Sequence, residues 1–592
     1  MKIILACLNA KYIHSSLACY YLRACCREEF PGVEVMEFTI NEDPGDIMAE
    51  IYRKQPDVLA FSCYIWNIEL TLTIARNLKQ LLPELVVILG GPEVSYDPVT
   101  LMEQNPAIDH VVRGEGEASL PELLRVLSQG ETGEVRGTTC RVGKEIIHHE
   151  DRELIQDLDT IPFPYNDVEN LDHRILYYET SRGCPFNCSY CLSSTVRGVR
   201  YFPMDRVKKE LQILVKAGAG TIKFVDRTFN ASPRRARELM QFLMGLEGDT
   251  VFHFEIVADL LSDDMLVFLS EAPPGRFQFE IGVQSTNKST LRAINRRLNW
   301  PRLERAVKTI GKHGSIHQHL DLIAGLPEED YDSLGRSFNM VYGLRPDYLQ
   351  LGFLKMLKGS RIREQAEQFG YLFTDEPPYE VLENKFISYE EMLRVKRIED
   401  LLQQYYNSED FHHTLHYLTN YVYDQRPFDF YEQLAIFWEE RGLHRVRHRK
   451  RVLYSLLRQF VAEKQPDSLR PINELLKLDY LLNYRSYELP EGLERVVLPE
   501  QKEAFETWLQ QEENQHRYFP ELYEVALGRL KRQLHLELFT DDMLFLTGMR
   551  PERETRHYYP ALFQYPPGRQ KAIRWQVIGT EDSISSDILF PD

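Results

Sequence analysis

Residues 174–191 read Arg-Ile-Leu-Tyr-Tyr-Glu-Thr-Ser-Arg-Gly-Cys-Pro-Phe-Asn-Cys-Ser-Tyr-Cys. The apolar start, residues 175–180, predicts a buried strand, and the glycine and proline after it predict a loop. Cys184, Cys188 and Cys191 in this loop follow the spacing C-x3-C-x2-C. Thiolates so spaced can surround one corner of a cuboidal iron-sulfur cluster and leave one iron open. The alternative is a zinc site, which needs a fourth ligand and usually paired C-x2-C units that the sequence lacks.

The strand before these cysteines is the first of a regular series. Apolar candidate strands occupy residues 175–180, 221–225, 252–257, 277–283, 317–323 and 348–353, and helix-like segments separate them. Parallel strands joined by right-handed helical crossovers curl into a barrel. We therefore expect residues 171–360 to form a partial (β/α)6 barrel.

Another α/β pattern precedes the barrel. Short apolar runs at residues 3–8, 33–40, 58–63, 86–89 and 110–112 alternate with amphipathic segments such as 68–82. Runs of this kind predict a doubly wound parallel sheet, which binds ligands beyond the carboxyl ends of its strands. We assign residues 1–135 to this domain. Residues 136–170 are expected to be a linker, with a hairpin near 137–149 and a proline-rich extended segment at 161–165.

The final third, residues 361–592, is predicted to be a mainly helical domain. Aromatic-rich segments with helical spacing lie at residues 389–406, 428–441, 451–462 and 501–516, and a small sheet is expected near 558–580. The densest positive stretch, residues 441–451, is interpreted as a solvated face, against the alternative that it grips an anionic substrate or RNA.

Composition limits the class of protein. The 592 residues are 43% hydrophobic and carry a net charge of −19, which argues for several buried cores and against broad binding to nucleic acid or anionic membranes. No apolar run reaches the ~20 residues that cross a bilayer, and the lipoprotein-like box at residues 4–7 has too little sequence before it. The nine cysteines stop at Cys191 and form no disulfide framework, so a cytoplasmic location is expected.

The cysteine loop resembles the signature of the radical S-adenosylmethionine (radical SAM) superfamily, including the aromatic residue, Tyr190, before the third cysteine. The resemblance implies that Cys184, Cys188 and Cys191 bind a 4Fe-4S cluster. S-adenosylmethionine would occupy its open iron and be cleaved to a 5′-deoxyadenosyl radical. An electron donor such as flavodoxin or ferredoxin would then be needed.

The same resemblance suggests further contacts with S-adenosylmethionine, the first of them from Tyr190 in the cysteine loop. Asp226 follows the second barrel strand, where relatives bind the methionyl amino group, although their Gly-Gly-Glu is absent here. Glu255 is a candidate for the ribose hydroxyls, and Glu280-Ile-Gly-Val-Gln284-Ser285 resembles the Gly-x-Gln-Ser segment. The run from Gly325 implies an adenine contact through Leu326. Inward carboxylates in a barrel are costly unless they serve a ligand. The alternative is that neighbouring strands or solvent satisfy Glu255 and Glu280.

A doubly wound domain before such a barrel resembles the cobalamin-binding subfamily of the superfamily. The carboxy-terminal third resembles the uncharacterised domain that one branch of these cobalamin-dependent proteins carries. The positions that carry the resemblance to the subfamily follow the third, fourth and fifth strands: Ser62, Gly90, Gly91, Glu93, Glu115 and Gly116. The subfamily implies that cobalamin binds here, with the glycines allowing its tail close approach. The alternative is a degenerate domain that only packs.

His14 is a cobalamin candidate with a departure from the pattern. Relatives that coordinate cobalt from below use Asp-x-His-x-x-Gly after the first strand, whereas this chain has Tyr12-Ile-His14-Ser-Ser-Leu17. Because no carboxylate orients the imidazole, we expect the lower face of the cobalt to be open or water-bound rather than held by His14.

The combination implies methylation of an unactivated carbon of a small-molecule or peptide substrate. Cyclisation, rearrangement or oxidation on the same scaffold is the alternative. RNA methylthiolation is disfavoured because the remaining cysteines offer no second cluster set. A non-catalytic cobalamin sensor would leave the cysteine triad unexplained.

Overall fold

The computed structural model describes residues 1–130, 133–166, 174–486, 488–498, 501–523, 525–568 and 570–578. The chain divides into two compact units, residues 1–392 and 393–592. In its described parts, no helix is long and apolar enough to cross a membrane. All nine cysteines are free thiols.

A mixed sheet begins the first unit, and its strands are β1 (Ile3–Asn9), β2 (Glu34–Thr39), β3 (Val58–Ser62), β4 (Val86–Gly90), β5 (His110–Val112), β6 (Thr138–Val142) and β7 (Glu145–His148). Their order is β2-β1-β3-β4-β5-β6-β7, with β1 to β5 parallel. The helices are α1 (Leu17–Cys26), α2 (Pro44–Lys54), α3 (Ile68–Leu81), α4 (Pro98–Gln104) and α5 (Gly116–Ser128). The predicted doubly wound fold is confirmed.

Continuous apolar strands explain this fold, because both faces of the sheet are buried. Alternate residues of β1 enter separate cores: Ile4 packs with Phe61 and Leu89 on one face, and Leu5 packs with α1 on the other. The predicted hairpin is present, and β6 pairs antiparallel with β5. Residues assigned to a linker thus extend the first sheet, while the exact domain boundaries stay predictions.

The strands of the barrel sheet are β8 (Ile175–Tyr178), β11 (Thr221–Phe224), β12 (Val251–Ile256), β13 (Phe277–Gln284), β14 (Ile316–Ala324) and β15 (Tyr348–Phe353). The sheet is entirely parallel, in the order β15-β14-β13-β12-β11-β8. A separate antiparallel hairpin joins β9 (Ser181–Cys184) to β10 (Gly198–Tyr201). The helices are α6 (Met204–Lys216), α7 (Pro233–Met244), α8 (Asp263–Leu269), α9 (Lys288–Ala293), α10 (Trp300–His313) and α11 (Tyr331–Tyr342). The predicted partial barrel is confirmed, and the hairpin was not predicted.

The first unit continues beyond the barrel through α12 (Arg361–Glu364), α13 (Ala366–Phe369), β16 (Leu372–Phe373), β17 (Val381–Glu383) and the start of α14 (Tyr389–Tyr405). Strands β16 and β17 form a small antiparallel pair. Backbone bonds fix this pair to the end of β15: Val381 N donates to Leu354 O at 3.0 Å, and Met356 N donates to Tyr379 O at 2.9 Å.

The second unit is mainly helical, as predicted. It contains α15 (His412–Tyr417), α16 (Pro427–Glu440), α17 (Lys450–Lys464), α18 (Leu469–Asn483), α19 (Gln501–Gln510), α20 (Glu512–Tyr518), α21 (Leu527–Gln533) and α22 (Met543–Leu546). An antiparallel sheet of β18 (Leu534–Phe539), β19 (Tyr559–Gln564) and β20 (Arg574–Val577) completes it. The sheet therefore begins earlier than the sequence indicated, and the predicted helix 501–516 is interrupted at Gln511.

The positive stretch at residues 441–451 is partly neutralised by neighbouring carboxylates. Lys450 lies 2.7 Å from Asp410, and Arg451 lies 2.9 Å from Glu488. Arg441 pairs with Glu463. These contacts agree with the interpretation of a solvated, charge-balanced face.

Candidate functional site

A cavity of about 940 Å³ lies in the first unit, between the loops after the N-terminal strands and the beginning of the barrel. Its wall includes every position predicted to contact cobalamin: His14, Ser62, Gly90, Gly91, Glu93, Glu115 and Gly116. The barrel side contributes Tyr177, Arg182, Gly183, Leu192 and Ser193. Parallel topology explains the convergence, because the carboxyl ends of β1, β3, β4 and β5 meet at one edge. The roles of these residues remain predictions.

Gly91, the second glycine of the pair at the end of β4, packs against the backbone of Cys63 so closely that a side chain would not fit. Gly91 has φ of +113°, and a Cβ there would lie 2.5 Å from the carbonyl oxygen of Cys63. Gly90 is less constrained, since its Cβ would lie 3.5 Å from Val112 O. At the end of β3, the buried Ser62 Oγ has no hydrogen-bond partner in the described chain. A buried hydroxyl without a partner on a cavity wall fits a polar ligand such as the cobalamin tail.

The two predicted glutamates are held by other parts of the unit. Glu93 is buried and accepts from the hydroxyl of Tyr379, and Lys358 Nζ lies 3.1 Å away. Glu115 pairs with Arg200 at 2.7 Å and with Arg182 at 3.3 Å. Although burial raises the pKa of Glu115, hydrogen bonds from Arg200 and the amide of Ile155 hold it below its ordinary value. Both carboxylates therefore have protein partners at the cavity wall.

His14 contacts the barrel rather than a carboxylate. Its Nδ1 lies 2.6 Å from the hydroxyl of Tyr177, and the two rings stack with centroids 5.8 Å apart. Residue 14 also forms a parallel bridge with Ile175 at the start of β8. Burial, with the charges of Lys11 and Lys223, lowers the pKa of His14. Tyr177 thus orients an imidazole that is neutral at neutral pH.

The cysteine loop leaves β9 after a constrained turn. Gly183 has φ of +95°, and a Cβ there would lie 2.2 Å from Gly198 O, so β10 can pair closely only with glycine. Cys184 Sγ lies 3.6 Å from Thr228 Oγ1, while Cys188 is buried. The cavity reaches both ends of this loop, at Gly183 and Ser193.

Arg296 is the partner of Cys188 that the sequence analysis missed. Its Nη1 lies 3.6 Å from Cys188 Sγ and 3.1 Å from the hydroxyl of Tyr190, and Nη2 donates to Gly282 O. Burial raises the pKa of the Cys188 thiol, and the guanidinium opposes this shift. Arg296 therefore places positive charge beside a predicted cluster ligand.

Three residues predicted to contact S-adenosylmethionine make internal contacts. Asp226 accepts from Thr180 N at 2.9 Å and from the hydroxyls of Thr180 and Ser181, and burial raises its pKa. Ser285 is buried and donates to Glu329 at 2.6 Å. Leu326 is also buried. Any contact of these side chains with the nucleoside stays a prediction.

Glu255 and Glu280 are neighbours across β12 and β13 with opposite pKa shifts. Burial, and then the charge of Glu280, raises the pKa of Glu255 to about 7. Burial would also raise that of Glu280, but His253 and Lys223 lower it to about 2. Lys223 Nζ lies 2.8 Å from Glu280, and His253 Nε2 lies 3.0 Å away. The barrel interior thus holds one ionised carboxylate beside one that titrates near neutrality.

Gln284 ends β13 in the left-handed region, with φ of +72°. Its buried Oε1 has no hydrogen-bond partner in the described chain. Gly282 makes room for it, because a Cβ at that position would lie 2.4 Å from Gln284 Nε2. A strained backbone that presents a free buried acceptor fits a ligand contact.

The cysteine loop carries the donor set that a cuboidal iron-sulfur cluster takes, three thiolates within eight residues. In such a cluster each cysteine binds a different iron. The cluster itself stays a prediction.

Arg182 and Tyr177 are two further residues at the site that were not predicted from the sequence. Arg182 reaches Glu179, Glu117 and Glu115, and so joins the loop after β5 to the strand before Cys184. No local pattern marks such residues, because their partners are distant in sequence. The available local signal was the position of Arg182, two residues before Cys184.

Models of known families match three successive regions. The B12 binding domain matches residues 3–124, the radical SAM superfamily matches 178–341, and a protein of unknown function, DUF4080, matches 367–558. The chain is a cobalamin-binding radical SAM protein. Its first two matched regions are those whose loops form the cavity.

Named relatives of this radical SAM protein include methyltransferases. It is 28% identical over 365 residues to the uncharacterised methyltransferase PH0819 of Pyrococcus horikoshii, covering 60% of this chain and 79% of that protein. It is 28% identical to the cobalamin-dependent radical SAM methyltransferase TokK of Streptomyces tokunonensis, covering 46% of this chain and only 43% of TokK. The fold is similar to that of the radical enzyme OxsB, solved with aqua-cobalamin and S-adenosylmethionine bound, with a TM-score of 0.57, 16% identity and coverage of 81% and 84%.

Proposed function

We propose that this protein binds one 4Fe-4S cluster, S-adenosylmethionine and cobalamin, and methylates an unactivated carbon of a small-molecule or peptide substrate. The observation that carries the proposal is a cavity whose wall contains both the predicted cobalamin positions and residues that flank the cysteine loop, Gly183 and Ser193. The similarity to named methyltransferases favours methyl transfer over the other radical outcomes.

When bound, the cluster and S-adenosylmethionine supply a carbon radical, and cobalamin supplies the methyl group. The chain contributes three cluster ligands, Cys184, Cys188 and Cys191. Arg296 contacts the second of these and supplies positive charge that offsets the negative charge of a reduced cluster.

Around the cavity, the chain supplies rigid walls. The ion pairs of Arg182 connect the loop after β5 to the cysteine loop. The hydrogen bond between His14 and Tyr177 connects the loop after β1 to β8. Holding these loops in fixed positions keeps the reactants aligned and excludes water, which would otherwise allow side reactions.

In the barrel, Glu255 and Gln284 present polar atoms that suit a nucleoside. Glu255 has a pKa of about 7, so it can either accept from or donate to a ribose hydroxyl. Gln284 offers a buried acceptor without a protein partner. The reduced electron donor, such as flavodoxin or ferredoxin, is an expected partner.

The test is a metabolite comparison between a deletion strain and its parent, searching for pairs that differ by one methylene. Complementation with the wild-type chain should restore the heavier compound, and complementation with Cys188→Ala should not. The identified substrate, supplied to the reconstituted enzyme, should give both 5′-deoxyadenosine and a methylated product. Formation of 5′-deoxyadenosine with a product that has gained no methyl group would reject methylation.

A further inference from the structure

One segment beyond the barrel contacts three of the loops that carry predicted cofactor residues. This post-barrel segment comprises residues 355–384, and its part from residue 367 onward falls in the DUF4080 match. Its side chains and backbone make hydrogen bonds to three separate loops.

The post-barrel segment contacts the loop after β14 through two side chains that donate hydrogen bonds to one carbonyl oxygen. Gly325 O accepts from the hydroxyl of Tyr371 at 3.0 Å and from Asn384 Nδ2 at 2.9 Å. Gly325 has φ of +86°, and the buried Leu326 follows it. These two side chains therefore fix the orientation of the peptide that precedes the predicted adenine contact.

The second contact is with the loop after β4. Tyr379 is buried, has φ of +55° and donates its hydroxyl to Glu93. Lys358, on the cavity wall, lies 3.1 Å from the same carboxylate. Glu93 directly follows the Gly90-Gly91-Pro92 turn, so the segment braces the turn predicted to receive the cobalamin tail.

The third contact is with the cysteine loop. Ile362 N, at the start of α12, donates to Ser189 O at 2.9 Å. Ser189 lies between Cys188 and Tyr190. One continuous stretch of about thirty residues thus bonds to the cysteine loop, to the loop after β14 and to the loop after β4.

We infer that the post-barrel segment positions the cofactor loops, with Tyr371 acting on the S-adenosylmethionine loop and Tyr379 acting on the cobalamin loop. The inference rests on the proposed function, because it assumes that these loops bind those two cofactors. It assigns a role to the first part of the DUF4080 region. Both tyrosines are positioning residues, since each acts through another residue of the loop.

Two conservative variants separate the two roles. Tyr371→Phe removes one of two donors to Gly325 O, and Tyr379→Phe removes one of two partners of Glu93, and neither change empties space in the core. We expect Tyr371→Phe to weaken S-adenosylmethionine binding about five-fold and leave cobalamin binding within about two-fold. Tyr379→Phe should show the reverse. Tyr389→Phe, at an exposed tyrosine of the same unit, should change neither.

The measurements are the dissociation constants of S-adenosylmethionine and hydroxocobalamin for the reconstituted full chain, together with the thermal unfolding midpoint. Selective weakening of one cofactor by each variant supports the inference. Unchanged constants, or equal weakening of both cofactors by both variants, would overturn it while leaving the proposed function intact. A wild-type chain that binds neither cofactor would overturn both.

Discussion

The hydroxyl of Tyr177 on β8 lies 2.6 Å from Nδ1 of His14 in the loop after β1. In a cobalt-binding histidine, the second ring nitrogen usually bonds to a carboxylate or backbone carbonyl, which makes the imidazole a stronger ligand. The phenol of Tyr177 strengthens the imidazole as a ligand less than a carboxylate or a carbonyl would. His14 is also tied by its backbone to Ile175, which gives it a structural task.

We therefore expect His14 not to coordinate cobalt. The cob(II)alamin-loaded protein should show an electron paramagnetic resonance spectrum without coupling to an imidazole nitrogen, and His14→Ala should leave that spectrum unchanged. Nitrogen-coupled lines that disappear in His14→Ala would show that this expectation is wrong.

The position of Arg296 predicts an effect on the cluster. A guanidinium beside Cys188 stabilises the more negative, reduced state, so Arg296→Gln should lower the reduction potential by about 60 mV, which corresponds to ~1.4 kcal/mol for one electron. A redox titration followed by electron paramagnetic resonance measures this shift. Arg297→Gln, at the exposed neighbouring arginine, is the matched control and should leave the potential unchanged.

Glu255 predicts a pH-dependent stability. Its folded pKa of about 7 lies above that of an exposed glutamate, so the unfolded chain loses this proton first and stability falls as pH rises from about 4 to 7. Glu255→Gln removes the free-energy cost of ionising this buried carboxylate. Its gain in unfolding free energy should be about 1 kcal/mol larger at pH 8.5 than at pH 6, as measured by denaturant titration of the apoprotein.

Glu280→Gln is the counterpart of that variant. Because the pKa of Glu280 is lowered to about 2, ionisation of this carboxylate stabilises the fold at neutral pH. The substitution should therefore destabilise the chain under the conditions in which Glu255→Gln stabilises it. The same sign for both variants would contradict the assigned pKa shifts.

The network around Arg182 predicts a large loss of stability. Its guanidinium is mostly buried among Glu179, Glu117 and Glu115. Arg182→Met leaves these carboxylates without their cation, and removing one partner of a buried pair costs about 3–5 kcal/mol. Arg125→Met breaks a half-exposed pair with Glu29 and should cost less than about 1 kcal/mol. Equal losses in urea unfolding would show that the Arg182 network is not especially important.

Local sequence patterns were sufficient for the parallel strands of both sheets. Residues 110–112 show this, since a short β-branched run between helical segments formed β5 at the predicted positions. The resemblance to a cobalamin branch pointed to seven positions scattered along the sequence, and all seven line one cavity.

Contacts between distant segments were beyond the reach of these patterns. Arg296 and Cys188 are 108 residues apart, and Tyr379 and Glu93 are 286 residues apart. Only the folded chain brings them together. The hairpin β9–β10 was missed for a related reason, because its pairing depends on Gly183 meeting Gly198 rather than on an apolar alternation.

The central claim is that one chain holds a four-iron cluster, S-adenosylmethionine and cobalamin around one cavity. Anaerobic reconstitution followed by measurement of iron, sulfide, bound cobalamin and reductant-dependent 5′-deoxyadenosine tests it most directly. We predict about four irons and one cobalamin per chain, with 5′-deoxyadenosine formed by the wild type and abolished in Cys188→Ala. About eight irons, a single bound metal ion, or no cobalamin binding would contradict the account.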